Sequence, residues 1–425
     1  GLLQSSSVEA HEAALPFVGN GRTARALTVA SFLLHAGEHG RAGGLAMAPW
    51  TAEERDPFAR SRPSRFRLVH RGDLMGRSLP TRLASTVDAT AGKPEESYGE
   101  AKYWPLSLRG FLSPPKYVAH SGRGFLFECE HRESRQRVAV KAHAMLSREH
   151  EAGFHREAKL MEQFDGGDFL QYFGAATAEH PRKRLVCTFL FMEMPYGSLF
   201  DCVVAKEPDA VSGMVKLRLA VEIVRAVAAL SDSGFIHGDL NPYNIQVVGN
   251  CTAAGGCHAK LSGFDRIIAI QRGNRMLSVA ALPTARPYTA PETWLGFGPS
   301  LKTHVWSAGV VLYELMIGWL PSQLCDADGE LLPADSFDEE EDPLRHIVAF
   351  DFDIWQDPYF LDFAEEDPEV AEIIAAMLRG VAARLDIHTA LAGLKAVAEA
   401  RGVEIPAPAP PLPHAGAIRR DLDRL

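Results

Sequence analysis

The sequence predicts an α+β fold of two lobes, a small β-rich lobe followed by a larger helical one, behind an N-terminal extension. Three observations lead there. Residues 111–194 hold short apolar stretches of strand character around one amphipathic helix; beyond Pro195 the apolar residues gather in long helical runs; and residues 1–110 show no strong periodicity. With 425 residues, 46% of them hydrophobic, the chain is long enough to bury a core of that size. The expected layout is an extension over 1–110 that packs on the first lobe, an N-lobe over 111–194, a C-lobe over 195–400 and a Pro-rich tail over 401–425.

Taken in order, the extension contains "AEERDPFARSRPSRFRLVHRGDLMGRSLPTRL" (52–83), with eight Arg against four acidic residues, which suits either a solvated layer or peripheral contact with an acidic membrane surface. "GFLFECEH" and "QRVAVKAHA" alternate like strands with one buried face, whereas "RLVCTFLFMEM" is nearly continuous, as in a strand buried on both faces. Between them "REHEAGFHREAKLMEQF" (148–164) has apolar residues at helical spacing. "MVKLRLAVEIVRAVAALSDSG" (214–234) reads as a long helix stopped by Gly234, and "THVWSAGVVLYELMIGWLP" (303–321) as one apolar on nearly every side and therefore deeply buried. The stretch 325–343 carries nine acids and no base, the pattern of a solvated loop, and "IPAPAPPLP" favours an extended spacer.

Several function classes are disfavoured. A net charge of −10 argues against a nucleic-acid partner, since such binding rests on Lys and Arg neutralising phosphates. "ALTVASFLLHAG" (26–37) falls short of the roughly 18–20 apolar residues of a transmembrane segment. Six cysteines are too few for a disulfide scaffold and none shows C-x-x-C spacing, so no metal site is read from them. Cys251 and Cys257 bracket the turn-rich "TAAGG", and a hairpin there would bring them within disulfide range; two free thiols are the alternative.

Along this scaffold the order "VAVK", a helix with glutamate, an apolar strand running into "FMEMPYGSLFD", a long helix, "HGDLNPYN", "KLSGFD", "TAPE" and "HVWSAG" resembles the protein-kinase signature set over roughly residues 111–400. The resemblance implies a bilobal protein-kinase-like fold. Phosphoryl transfer needs a cation on the phosphates, metal-holding acids and a base at the nucleophile. By resemblance, Lys141 matches the phosphate-holding lysine and Glu157 its partner on the helix, with Glu149 and Glu151 close by. Met192, Glu193 and Met194 match the hinge that holds adenine. Asp239 matches the catalytic base and Asn244 the second-metal ligand. Glu292 and Arg384 match an anchoring ion pair, and Trp306 and Gly309 sit in the buried helix as the resemblance implies.

The departures fall on the chemistry. Gly238 replaces the arginine before the catalytic aspartate, Asn241 a lysine that neutralises the transferred phosphoryl group, and His304 the aspartate that braces the loop. Counting back from Lys141 puts Ala119, Ser121 and Gly124 at the three glycines of the phosphate-covering hairpin, whereas a hairpin three residues shorter would fit Gly122 and Gly124. Gly263 stands at the acid that holds Mg²⁺, followed by Phe264 and Asp265; a shift of two residues along an extended chain displaces a carboxylate by about 6–7 Å, against metal–oxygen distances near 2 Å.

A kept scaffold with eroded catalysis is the pattern of a pseudokinase, and this one resembles the rhoptry kinases secreted by apicomplexan parasites. That resemblance implies secretion to the rhoptry, the parasitophorous vacuole or the host cell, an extension bracing the N-lobe, and a protein partner such as another kinase or a host factor. ATP is expected to bind weakly and without Mg²⁺. Restoring an acid at 263 is expected to strengthen Mg²⁺-dependent binding of ATP without creating transfer. Two other readings stand beside it: an atypical active Ser/Thr kinase in which Asp265 is a relocated metal ligand, and a structural matrix or interaction protein.

Overall fold

Period-two alternation in the first half of the chain builds one antiparallel sheet with two buried faces. A computed structural model describes residues 106–121, 124–145, 148–179, 186–206, 210–252, 256–270, 286–294, 298–321 and 352–424, all within one compact unit spanning 48–425. The extension before residue 106, with its Arg-rich stretch, and the acidic stretch 325–343 lie outside the described residues. After a short helix α1 (Leu106–Phe111) come β1 (Lys116–Ser121), β2 (Gly124–Glu130), β3 (Arg137–Met145), helix α2 (Arg148–Gln163), β4 (Tyr172–Glu179) and β5 (Val186–Glu193). The five strands pair in the order β1-β2-β3-β5-β4, each pair antiparallel.

In β3, Val138 and Val140 join Phe127, Phe189 and Phe191 on one face of the sheet, while Ala139 joins Leu190 and Met192 on the other. The second face packs against α2 through Phe154, Leu160 and Met161 and continues into the core of the C-lobe. Strand β5 is thus buried on both sides, as its unbroken apolar run requires.

The chain then turns through β6 (Gly197–Ser198) into α3 (Gly213–Asp232), whose Ser212 cap accepts from Val215 N, and through β7 (Phe235–Ile236) into the catalytic-loop segment. A hairpin follows, β8 (Ile245–Gly249) and β9 (Cys257–Leu261), and then the two residues of β10 (Ile268–Ala269) pair back on β7. Cys251 and Cys257 close the hairpin as a disulfide with Cα atoms 4.7 Å apart. Helices α4 (Pro291–Trp294), α5 (Leu301–Ile317), α6 (Pro358–Glu366), α7 (Pro368–Met377) and α8 (Ile387–Ala400) complete the C-lobe. Ser300 and Thr303 form a capping box at the start of α5, and Gly318 ends it in the left-handed conformation. From Thr303 to Ile317 only Ser307 is not buried, as the apolar sequence predicts. Among the described residues no helix is long and apolar enough to cross a membrane.

The tail departs from a free spacer. Its Pro-rich part is extended, but it is held: Arg225 Nη1 donates to Pro406 O at 2.9 Å, Ala409 bridges to Gly167, and Leu412 N donates to Gln171 Oε1 at 2.7 Å. It ends in helix α9 (Ala415–Leu422), which lays Ala415, Ile418 and Leu422 on the outer apolar face of the N-lobe sheet beside Leu108 of α1 and Leu112 just after it. Arg419 pairs with Asp165 and donates to Tyr172 O at 2.8 Å. The physical reason lies in the sheet: Phe127, Val140, Phe189 and Phe191 form an apolar face that α2, on the opposite side, leaves uncovered.

This packing is testable. Ile418 is fully buried, so Ile418→Ala should destabilise the domain by about 2–5 kcal/mol in urea melts, whereas a free spacer would lose almost nothing.

Candidate functional site

Because Lys141 lies two residues beyond Ala139 on β3, it projects from the same face of the sheet, toward α2. There its Nζ meets Glu157 Oε1 at 2.7 Å, with the two side chains 17% and 6% exposed. Of the other glutamates considered on that helix, Glu151 is exposed. This pairing fixes the lysine on the face of the sheet that meets α2.

The hinge follows from the end of β5. Met192 pairs with Ala139 of β3 and Tyr172 of β4. Glu193 does not offer its side chain to a ligand. Its carboxylate accepts from Lys260 Nζ at 2.7 Å and Gln171 N at 3.3 Å, and Glu193 and Lys260 are each 4% exposed. Any contact it makes with a nucleotide is therefore through its main chain. Glu193 N donates to Gln171 O and Tyr196 N to Val247 O, both at 2.8 Å. Pro195 has no N–H, which leaves Met194 N outside this set of committed donors.

In the catalytic loop two asparagines hold one aspartate. Asn244 Nδ2 donates to Asp239 O at 2.7 Å and to its Oδ2 at 3.3 Å; Asn241 Nδ2 donates to Asp239 O at 3.0 Å and Oδ1 at 3.2 Å. Asn241 Oδ1 in turn accepts from the Tyr243 and Asn244 N–H groups. Asn241 is thus a loop brace, buried at 6% exposure. Burial pushes the Asp239 carboxyl above its ordinary value; His237, Arg266 and the Asn244 hydrogen bond oppose that shift, and Asp265 adds to it. Gly238 has φ +76°, and a Cβ there would lie 2.3 Å from Arg266 O. The backbone itself excludes an arginine at this position.

Gly263 is likewise structural. The pairing of Ile245 with Leu261 sets Asn244 beside it, and Ser262 N donates to Asn244 O at 2.9 Å. At φ +79° a Cβ on residue 263 would lie 2.5 Å from Asn244 Oδ1 and 2.7 Å from its Cγ. An aspartate there must strain the backbone and displace Asn244, which corrects the expectation that restoring the acid simply adds a ligand. Phe264 packs edge-on against Phe164, Phe169 and His237. Asp265 follows in a single tight turn, half-buried, and acts electrostatically on both Asp239 and His237.

Of the phosphate-covering hairpin, Ala119 and Ser121 lie in β1, with Ser121 paired to Gly124; residues 122–123 are outside the described set. A Cβ on Gly124 would meet Ala142 O at 2.5 Å, so this glycine serves the close approach of β2 to β3. Arg384 binds both carboxylate oxygens of Glu292 at 2.6 and 3.0 Å and stacks 5.0 Å over Trp306. Gly309 lets α5 approach Met377 and Leu378. The pairs Lys260–Glu193 and Arg225–Asp168, with the tail contacts at Gln171 and Asp165, were not read from the sequence; in each, the partners lie 57 or more residues apart, or belong to a segment read as a spacer.

His304 stands behind the catalytic loop, 1% exposed, with Nδ1 3.1 Å from Ser231 Oγ and Nε2 without a hydrogen-bond partner among the described residues. Burial, and secondarily His237, push its pKa down to about 3. It is therefore neutral in the folded chain, while the unfolded chain takes up a proton as pH falls through about 6.5. Stability should fall below that pH, by about 2 kcal/mol between pH 6.5 and 5 from this residue. Urea melts across pH 5–7.5 should show a shallower slope for His304→Asn than for the unmodified protein; equal slopes would remove His304 from this role.

Comparison with known proteins agrees with this architecture. Residues 119–329 match the family described as protein tyrosine and serine/threonine kinase. A serine/threonine-protein kinase of Drosophila erecta is 24% identical over 284 residues, covering 65% of this chain and 33% of its own length. Tyrosine-protein kinase ABL2 of Mus musculus is 29% identical over 178 residues, covering 42% of this chain and 14% of its own. The chain thus spans at most about a third of the length of these relatives. The antiparallel N-lobe sheet, the helical C-lobe and these matches show a bilobal protein-kinase-like α+β fold.

Proposed function

We propose that this kinase domain is catalytically impaired, a pseudokinase that acts as a regulatory or scaffolding protein. One observation carries the reading: residue 263 has no carboxylate, and Asn244 occupies the space where a side chain would begin. The residues present do not make the family's Mg²⁺ site, since the ligand at position 263 is missing. Gly238 adds to this, because a phosphorylated segment has no guanidinium to dock on there. Lys141, held by Glu157, and the hinge main chain support weak, metal-independent binding of ATP, with Pro195 reducing the donors the hinge can offer.

A secreted setting is part of the proposal. The Cys251–Cys257 disulfide suits an oxidising compartment. The free thiols of Cys129, Cys187 and Cys202 are buried, and burial pushes Cys129 up to about 12 and Cys202 to about 11, so they are poor exchange partners. The parasite-effector assignment, with another kinase or a host factor as partner, rests on the resemblance of "SGFD" and the long extension to rhoptry kinases. A second reading has one observation in its favour: Asp265 acts electrostatically on Asp239, so a rearranged turn could bring two acids to one metal in an atypical active Ser/Thr kinase.

Thermal melts with ATP, with and without Mg²⁺ or Mn²⁺, test the binding claim. A modest stabilisation independent of metal is expected; a ligand at 100 times its Kd adds roughly 2.7 kcal/mol, and a shift seen only with metal contradicts the reading. Gly263→Asp should lower stability by about 1–2 kcal/mol for the left-handed backbone alone and leave radiolabelled phosphoryl transfer near background. Robust transfer by that variant would show that only one ligand had been lost. Peptide mapping without reductant on protein from a secretory host should recover Cys251 joined to Cys257; two free thiols would count against secretion.

A further inference from the structure

Remote from the interlobe site, three side chains that bind metals converge where α9 meets the N-lobe. His131 opens the turn between β2 and β3, Glu133 lies in that turn, and Asp421 comes from α9, 290 residues further along the chain. One ligand atom of each lies within 4.8 Å of the other two. We propose that His131, Glu133 and Asp421 form a site for a divalent transition-metal ion of the zinc class, which pins the C-terminal helix to the N-lobe hairpin.

The chemistry of the donors supports this choice. A neutral imidazole and two carboxylates carry −2, matching a divalent cation. Two ligands at about 2.1 Å from one tetrahedral zinc ion are about 3.4 Å apart, and His131 Nε2 stands 3.0 Å from Asp421 Oδ2, so the pair lies within a few tenths of an ångström of that spacing. The ion would replace the proton between this pair, with a small turn of the Asp421 carboxylate. The outer partners also suit it. Ser134 Oγ is 2.7 Å from His131 Nδ1 and can accept a hydrogen bond from Nδ1–H, leaving the Nε2 lone pair for metal; the Ser134 N–H is farther off at 3.3 Å. Arg424 Nη1 holds Asp421 Oδ1 at 3.1 Å, which frees Oδ2. His131 is fully buried and cannot swing away, whereas Glu133 is exposed and free to close on the ion. One nitrogen among oxygens favours zinc over Mg²⁺ or Ca²⁺, which prefer oxygen alone. Because Asp421 reaches the hairpin only when the tail is docked, binding and docking are linked, and metal adds to the hold of Arg419 and Ile418.

The test uses the full chain stripped with a chelator and titrated with Zn²⁺ against a chromophoric competitor. The unmodified protein should take up one more tight equivalent than His131→Ala or Asp421→Asn, each weakened by about 100-fold or more, beyond the 10–100-fold cost of losing an outer-shell partner. Glu133→Gln guards against misfolding: as a change at an exposed turn it should keep the melting temperature of the metal-free protein yet weaken Zn²⁺. Millimolar Mg²⁺ should not compete. Hydrogen exchange over 415–422 should slow with Zn²⁺ in the unmodified chain and not in the variants. Equal stoichiometry and affinity in the unmodified protein, Glu133→Gln and Asp421→Asn would overturn the proposal and leave His131–Asp421 as a plain ion pair.

Discussion

The pairing register of the β8–β9 hairpin is the constraint on which the site depends. With Ile245 opposite Leu261, the residues just outside the ladder are brought together: Asn244 at the end of the catalytic loop and Gly263 at the start of the metal-motif turn. The side chain of Asn244 then fills the Cβ position of residue 263, so the loss of an acid there is built into the packing. A second close approach, Gly238 against Arg266 O, removes the arginine of the catalytic loop by the same means. Both glycines have positive φ, which a residue with a Cβ rarely adopts.

Around these positions the scaffold is retained. Lys141–Glu157, Glu292–Arg384 and Arg384 over Trp306 are intact, and the two contacts of Arg384 join elements distant in sequence. The ion pair inside each lobe thus persists where Gly238 and Gly263 depart from the family pattern. Buried pairs of this kind do more to fix one arrangement than to raise net stability.

Much of this was legible in the sequence because it is local or strongly patterned. Alternation in "QRVAVKAHA" put Lys141 on a definite face, the unbroken run in "CTFLFME" announced a strand covered on both sides, and the turn-rich insert between Cys251 and Cys257 offered a disulfide beside the alternative of two free thiols. What covered β5 on its outer side was not legible. Helix α9 is short, follows a Pro-rich run and carries only a few apolar residues, so nothing local distinguishes a docked helix from a spacer. Glu193 was read as a hinge contact, and its commitment to Lys260 depends on a pairing across 67 residues. That Gly263 cannot be reversed simply was also hidden, since its obstacle is a neighbour 19 positions away.

The tail changes how the domain is held. It leaves α8, passes Arg225 and Gln171 beside the hinge and ends on the N-lobe sheet, so both lobes share one strap. Lobe orientation, and with it the Lys141–Glu157 pair, is thereby tied to residues that touch no substrate. The central claim remains that the site has lost its capacity for transfer. A single-turnover assay with γ-labelled ATP, comparing the unmodified protein with Asp239→Asn in Mg²⁺ and in Mn²⁺, addresses it most directly. Indistinguishable background levels are predicted for the two proteins; label incorporated by the unmodified chain and lost with Asp239→Asn would contradict the account.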